Sequence, residues 1–250
     1  YTIGGASEGR TSMIIIDEDR ASDSPLVERV WRSHSVGVSP FLSIASNHCE
    51  FVVTRLQGKV TMSLRGPETR ATPVGDSPAD GEWVGVLLKL GAVLPHLPTS
   101  SLVDGGVDLP TVSSRSFWLG NSVWQFPDYQ NADTFVEWLA REGLLLRDRV
   151  ITATLQGQRE ELTQRAVQYR FLRATGITQN TARQIERARS ATLLLQQGVS
   201  IPDTIQRAGY YDQSHLTRSL TRFIGQTPAQ LLHHSRTEQL SFLYKTTLFP

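Results

Sequence analysis

The sequence predicts an α+β protein: a mainly-β first half, built as a small sheet or partial barrel, followed by an all-α second half. Three observations carry this expectation. Short apolar or alternating runs bounded by Gly and Pro recur between residues 41 and 120, the texture of strands. From Asn131 onward the apolar period becomes helical, and Gly and Pro thin out. The charge changes sign with the texture: residues 1–145 carry 11 Lys and Arg against 17 Asp and Glu, whereas residues 146–250 carry 14 against 7. An acidic half is thus joined to a basic one, and the basic half suits a polyanionic partner. Of its 14 basic residues, 13 are arginine, the side chain better matched to bidentate contacts.

Taken in order, residues 1–12 receive no fold role. Strands are expected at 41–45, 51–56, 60–64, 83–90 and 116–120, with Gln57-Gly58-Lys59 as a hairpin turn. Residues 66–81 and 95–110, rich in Pro, Gly and Asp or Thr, are expected to be loops. The whole makes an antiparallel sheet of about six to eight strands. Asn131 is expected to cap a helix reaching Arg141, with Phe135, Trp138 and Leu139 on one side and Gly143 ending it. The boundary between the halves is expected near residue 145.

Other features narrow the class. One cysteine, Cys49, allows no intrachain disulfide, so a reducing compartment is the default. No apolar run reaches the roughly 18 residues of a membrane span. Residues 13–16 are too short for the apolar region of a signal peptide, and Asp17-Glu18-Asp19 follows them. His48, Cys49 and Glu50 are consecutive, with His34 and His96 elsewhere in the same half. A strand would turn His48 and Glu50 to one face and Cys49 to the other, and no His-x-His…Glu…His set accompanies them. Surface or packing roles are therefore favoured, and neither metal nor cofactor is expected. No Ser-His-Asp set, Gly-rich phosphate loop or carboxylate pair supports catalysis, so the chain is not expected to be an enzyme. All five tryptophans fall in the first half, as core or as walls of an apolar pocket. His233-His234 is expected in solvent.

The most informative stretch is residues 209–228, GYYDQSHLTRSLTRFIGQTP. A Gly209-Tyr210 corner, where glycine permits a positive φ, leads into a helix opened by Asp212, which can cap its first turn. The polar face carries Gln213, Ser214, His215, Thr217, Arg218 and Arg222, while Leu216, Leu220 and Phe223 form the apolar stripe. Ahead of the corner, Ser200 caps a helix whose first turn holds Pro202 and Asp203. Its apolar face is Ile201, Ile205 and Ala208. This is a helix-turn-helix pattern, whose second helix places its first residues in a major groove.

A less sharp copy precedes it. Residues 147–155 are its leading helix and 163–174 its reading helix, capped by Thr163 and stopped by Gly176. Ala166, Val167 and Phe171 face inward; Gln164, Arg165, Gln168, Tyr169 and Arg173 face outward. Between the two units, residues 178–197 form a long helix ended by Gly198, with Ile185, Ala188, Leu194 and Leu195 packing and Arg183, Arg187 and Arg189 outside. About 20 helical residues span roughly 30 Å, close to the roughly 34 Å repeat of DNA. One rigid helix can therefore set two readers in successive major grooves.

Residues 146–234 resemble the double helix-turn-helix domain of the AraC/XylS family of bacterial transcription regulators. The residues that carry the resemblance are Phe171-x4-Gly176, Arg187-x3-Ala191-x2-Leu194-Leu195, Gly209-Tyr210-x-Asp212-x-Ser214-His215-Leu216-x-Arg218 and Gly225-x-Thr227-Pro228. The resemblance implies base reading by Arg165, Gln168 and Tyr169 in the first unit and by Gln213, Ser214, His215 and Arg218 in the second. Gln164, Thr217 and Arg222 would meet phosphates, which position without specifying sequence. It implies a cytoplasmic, nucleoid-associated regulator whose partner is a double-stranded DNA operator. A homodimer, RNA polymerase and an unidentified small-molecule effector are the further partners it implies. Residues 1–145 would be the sensory or dimerisation domain and 235–250 a tail. Residues 65–70 and 117–119 are similar to segments of sensory domains attached to such regulators. The chain departs from the family at Tyr169, where Arg is frequent, at Leu220-Thr221 in place of Phe-Lys, at Ile205 in place of Ala, and in a longer, more acidic 156–162. A rival expectation is a small-barrel, metal-dependent enzyme that carries a DNA-binding domain, with ligands at His48 and His96.

Overall fold

In a computed structural model, the described residues are 13–155, 163–232 and 239–240. The first half is mostly strand and the second mostly helix, as the change of period indicated. Strands β1 (Met13–Ala21) and β2 (Val27–Val36) form a long antiparallel ribbon with a bulge between Ile16 and Glu18. β3 (Ser39–Ser43) precedes the hairpin of β4 (Glu50–Leu56) and β5 (Lys59–Arg65). That hairpin turns through Gln57 and Gly58, both at positive φ, the two-residue geometry that matches strand twist. β6 (Thr72–Ser77), β7 (Glu82–Leu88), β8 (Ala92–Val93) and β9 (Gly106–Leu109) follow, with a 3-10 turn at Thr99–Ser101. A meander of β10 (Thr111–Ser113), β11 (Ser116–Leu119) and β12 (Ser122–Gln125) leads to α1 (Ala132–Arg141).

The main sheet has the order β1-β2-β7-β4-β5-β9, all antiparallel. β3 and β6 pair apart from it, and β14 (Gln239–Leu240) runs parallel to β3. One face of the main sheet packs on α1 and the meander. Phe51 meets Phe135 edge-on at 5.5 Å, and Phe117 stacks on Phe126 at 5.3 Å. Ala132, Phe135, Val136 and Leu139 fill the same core.

Several expectations are corrected here. Residues 13–36, given no strand from sequence, make the longest ribbon. Their acidic and basic residues are ion pairs across it: Arg29 with Asp19, Arg32 with Glu18 at 2.7 Å and His34 with Asp17 at 2.8 Å. Residues 66–81 and 95–110, expected as loops, contain β6 and β9. Pro73 and Gly75 are tolerated in β6 because it lies at the edge of its sheet. Trp138 is half exposed rather than on the buried side of α1. Asn131 does not cap α1 through its side chain; its Oδ1 accepts instead from the Asp128 N–H at 2.9 Å. His48 lies in the loop before β4 rather than in a strand, and its Nδ1 donates to the Leu88 carbonyl at 2.8 Å. Burial pushes the Cys49 thiol up to about 12, so it stays protonated. Residues 1–12, the 156–162 loop, His233-His234 and most of the 235–250 tail lie outside the described residues.

The opposite face of the main sheet is more polar. Trp31 pairs with Gly85, and a Cβ on Gly85 would overlap its indole. The Trp31 Nε1–H donates to Glu50. Desolvation pushes the Glu50 carboxyl up to about 7, against the opposing pull of Trp31 and Arg65.

A proton held more tightly by the folded than by the unfolded chain ties stability to pH. The Glu50 contribution is complete below about 4.5 and is lost as pH rises through about 7. Burial also holds His48 neutral down to about 4, but that effect is common to wild type and a Glu50 variant. Between these limits the wild type is expected to lose stability relative to Glu50→Gln, by up to about 1.4 kcal/mol per pH unit. Urea unfolding of both proteins from pH 4 to 8 measures this, and parallel profiles would rule it out.

Candidate nucleic-acid interface

Short capping signals set the helices of the second half. After β13 (Leu146–Arg147), which pairs with β8, come α2 (Arg149–Leu155), α3 (Gln164–Thr175), α4 (Gln179–Gln196), α5 (Ile201–Arg207), α6 (Gln213–Phe223) and α7 (Pro228–Leu232). Four of them start on a side-chain cap. Thr163 accepts from the Ala166 N–H at 3.3 Å, Thr178 from Thr181 at 3.0 Å, Ser200 from Asp203 at 3.2 Å and Asp212 from His215 at 2.7 Å. Such caps satisfy donors that a helix start leaves free. Gly176 ends α3 in the left-handed region at φ 74, and Gly209 takes φ 69 at the corner before α6.

The corner is packed as well as turned. Tyr210 is buried, its hydroxyl 2.9 Å from Ser219 on α6 and its ring edge-on to His215 at 5.1 Å. The Arg187 guanidinium lies 4.7 Å over the same ring and donates to the Gly209 carbonyl at 3.4 Å. Burial holds the Tyr210 phenol above its ordinary range. Leu216, Ser219, Leu220 and Phe223 are the buried stripe of α6, sharing a core with Phe171, Ile185, Ala188 and Leu195.

On the outer surface, Gln213 and Ser214 stand exposed in the first turn of α6, with Arg218 and Arg222 further along. His215 and Thr217 are half-buried. His215 leans on Tyr210, and its Nδ1 accepts from the Tyr211 N–H at 3.5 Å. On α3, Gln164, Arg165, Gln168 and Tyr169 are all exposed, Tyr169 at 67%. Neither α3 nor α6 contains an acidic residue. Each therefore presents arginine and amide groups together with the positive end of a helix dipole, an arrangement suited to phosphate and base edges. α4 lies between the units and packs against both. Its 18 residues extend about 27 Å.

Two arginines expected outside α4 turn inward. Arg187 serves the Tyr210 corner, and Arg189 donates to the Ala45 carbonyl at 3.2 Å. Arg183 is exposed, as expected. Arg170 on α3 stays exposed and pairs with Asp148 at 2.9 Å. Tyr211, 90% exposed beside the α6 start, was not singled out from sequence. Its signal was present in the double aromatic after Gly209, of which only Tyr210 was assigned a role. Among the described residues, no group of three His, Cys, Asp or Glu is placed to hold a metal ion, and no helix is long and apolar enough to cross a membrane.

Asp212→Ala is expected to cost about 1 kcal/mol by unmaking the α6 cap. Urea unfolding together with amide exchange at His215 measures it. Unchanged stability and protection would show that the cap contributes nothing.

Residues 157–234 match the family model described as a helix-turn-helix domain, of the AraC type. No curated protein and no solved structure matches the chain. The match spans α3 to α7, the elements that build both exposed faces and the packed corner. It assigns residues 157–234 to a helix-turn-helix domain of the AraC type, which supports a DNA-binding transcription regulator.

Proposed function

We propose that the protein binds a specific double-stranded operator through α6 and α3, under the control of its first half. The observation that carries this is the pair of capped, acid-free helices on either side of α4, each with an exposed polar face. In this reading Gln213, Ser214 and Arg218 meet base edges, and His215 does so while also bracing the corner. Arg165, Gln168 and Tyr169 read from α3, and Gln164, Thr217 and Arg222 grip phosphates. An apolar or aromatic base contact is the natural use of Tyr169, since it lacks the fork that gives arginine its bidentate guanine contact.

The first half is the regulatory part of this proposal. The polar sheet face with Trp31 and Glu50 supports an effector site there, and a homodimer and RNA polymerase complete the partners of a cytoplasmic regulator. Site specificity is tested at Arg218. Arg218→Ala is expected to lose about 1–3 kcal/mol on a site selected from a random DNA library and much less on unrelated DNA. Titrations of both DNAs at one salt concentration decide it, since equal losses would make Arg218 a phosphate contact.

A further inference from the structure

Both reading helices are held from behind by the first half of the chain. At the end of α6, the Ala45 N–H donates to the Phe223 carbonyl and the Ala71 N–H to the Arg222 carbonyl, each at 2.8 Å. A helix end leaves such carbonyls without partners; here the loop between β3 and β4 and the residue ahead of β6 supply the donors. Gly225, at φ 80, closes on the same surface: a Cβ there would sit 2.7 Å from Leu42 and 3.1 Å from Ala71. Ile44 and Ala45 are buried among Phe171, Leu216 and Phe223 of the helical core.

The first unit is held in the same way. A Cβ on Gly176, where α3 ends, would meet Val103 at 2.6 Å and the Thr99 carbonyl at 3.1 Å. The Asp148 N–H, just ahead of α2, donates to the Gly91 carbonyl at 2.8 Å. The contacts therefore fall on the C-terminal ends of α3 and α6, and their exposed faces stay open. Beside this apolar packing the seam holds buried polar groups that are incompletely paired. His48 Nε2 and Glu186 Oε1 are buried without hydrogen-bond partners. Burial raises the Glu186 carboxyl, while Arg189 and then Asn47 pull it down. Buried polar groups left unpaired oppose docking, so this seam is one that can be released.

We propose that the first half acts as a brace that sets the distance and angle between the two readers. Leu42, Ala45, Ala71 and Val103 are its positioning residues. The brace makes the chain favour two DNA elements at one spacing, and release of the seam is the route by which the first half alters operator binding. This rests on the reading of α3 and α6 as DNA-contacting helices.

The test uses the full chain and a two-element site selected by the wild type from a random library. Companion DNAs carry one scrambled element or one inserted base pair. Leu42→Ala with Val103→Ala thins the packing behind each reader. Glu186→Gln with Arg189→Met is the second variant, and it removes both charges so that neither is left buried alone. Faster amide exchange at Ala45 and Ala71, with cooperative unfolding retained, reports an opened seam in a folded chain. The expected result is a loss of about tenfold on the two-element site, single-element affinity within about twofold, and tolerance of the inserted base pair. Equal losses on both DNAs, or an unchanged spacing preference in a chain whose seam has opened, overturn the brace. Wild-type protein that selects no site overturns the DNA reading itself, and the brace with it.

Discussion

Ala45 is where the two halves become one structure. Its N–H reaches the Phe223 carbonyl at the end of α6, and its carbonyl accepts Arg189 from α4. The first is a bond between two main chains, which requires close approach, and a methyl side chain permits it; the second is donated by the Arg189 side chain. The loop that carries Ala45 also starts β4, so the register of the central sheet and the end of the second reader are tied within six residues, 45–50. Displacing this loop would disturb the sheet, the linking helix and the reading helix together.

The second reading unit was legible because its signals are local. Ser200, Gly209 and Asp212 each act within a few residues of their own position, and each does so in the structure. The hairpin at Gln57-Gly58 was legible for the same reason. What escaped the sequence depends on distant partners. The acidic and basic residues of β1 and β2 look like a solvated run until the strands are laid side by side and the charges meet. Arg189 belongs to a helix face that looks polar, yet its acceptor comes from 144 residues earlier. β6 was hidden by Pro73 and Gly75, which argue against a strand except at an edge. For the proposed reading residues, helical period indicates which ones face outward, while their reading role comes from the family resemblance. The half-buried setting of His215 depends on the tertiary position of Tyr210.

Two buried ionisable groups sit close in sequence and respond to pH in opposite senses. His48 is held neutral by burial beside the helical half, and Glu50 keeps its proton by burial on the sheet face. Both therefore stay uncharged over the range between their shifted values. His48 and Glu50 are thus buried as neutral groups, which lowers the cost of burying them.

The four side-chain caps divide the helical half into starts and ends of different origin. α3, α4, α5 and α6 each begin on a cap from their own flanking sequence. The end of α6, in contrast, borrows donors from Ala45 and Ala71. The reading half is thus not fully portable. Cut from the rest of the chain, it would keep the starts of its helices and lose two of the bonds that finish the second reader. Grafted onto another regulator's first half, it would need a new loop to finish α6.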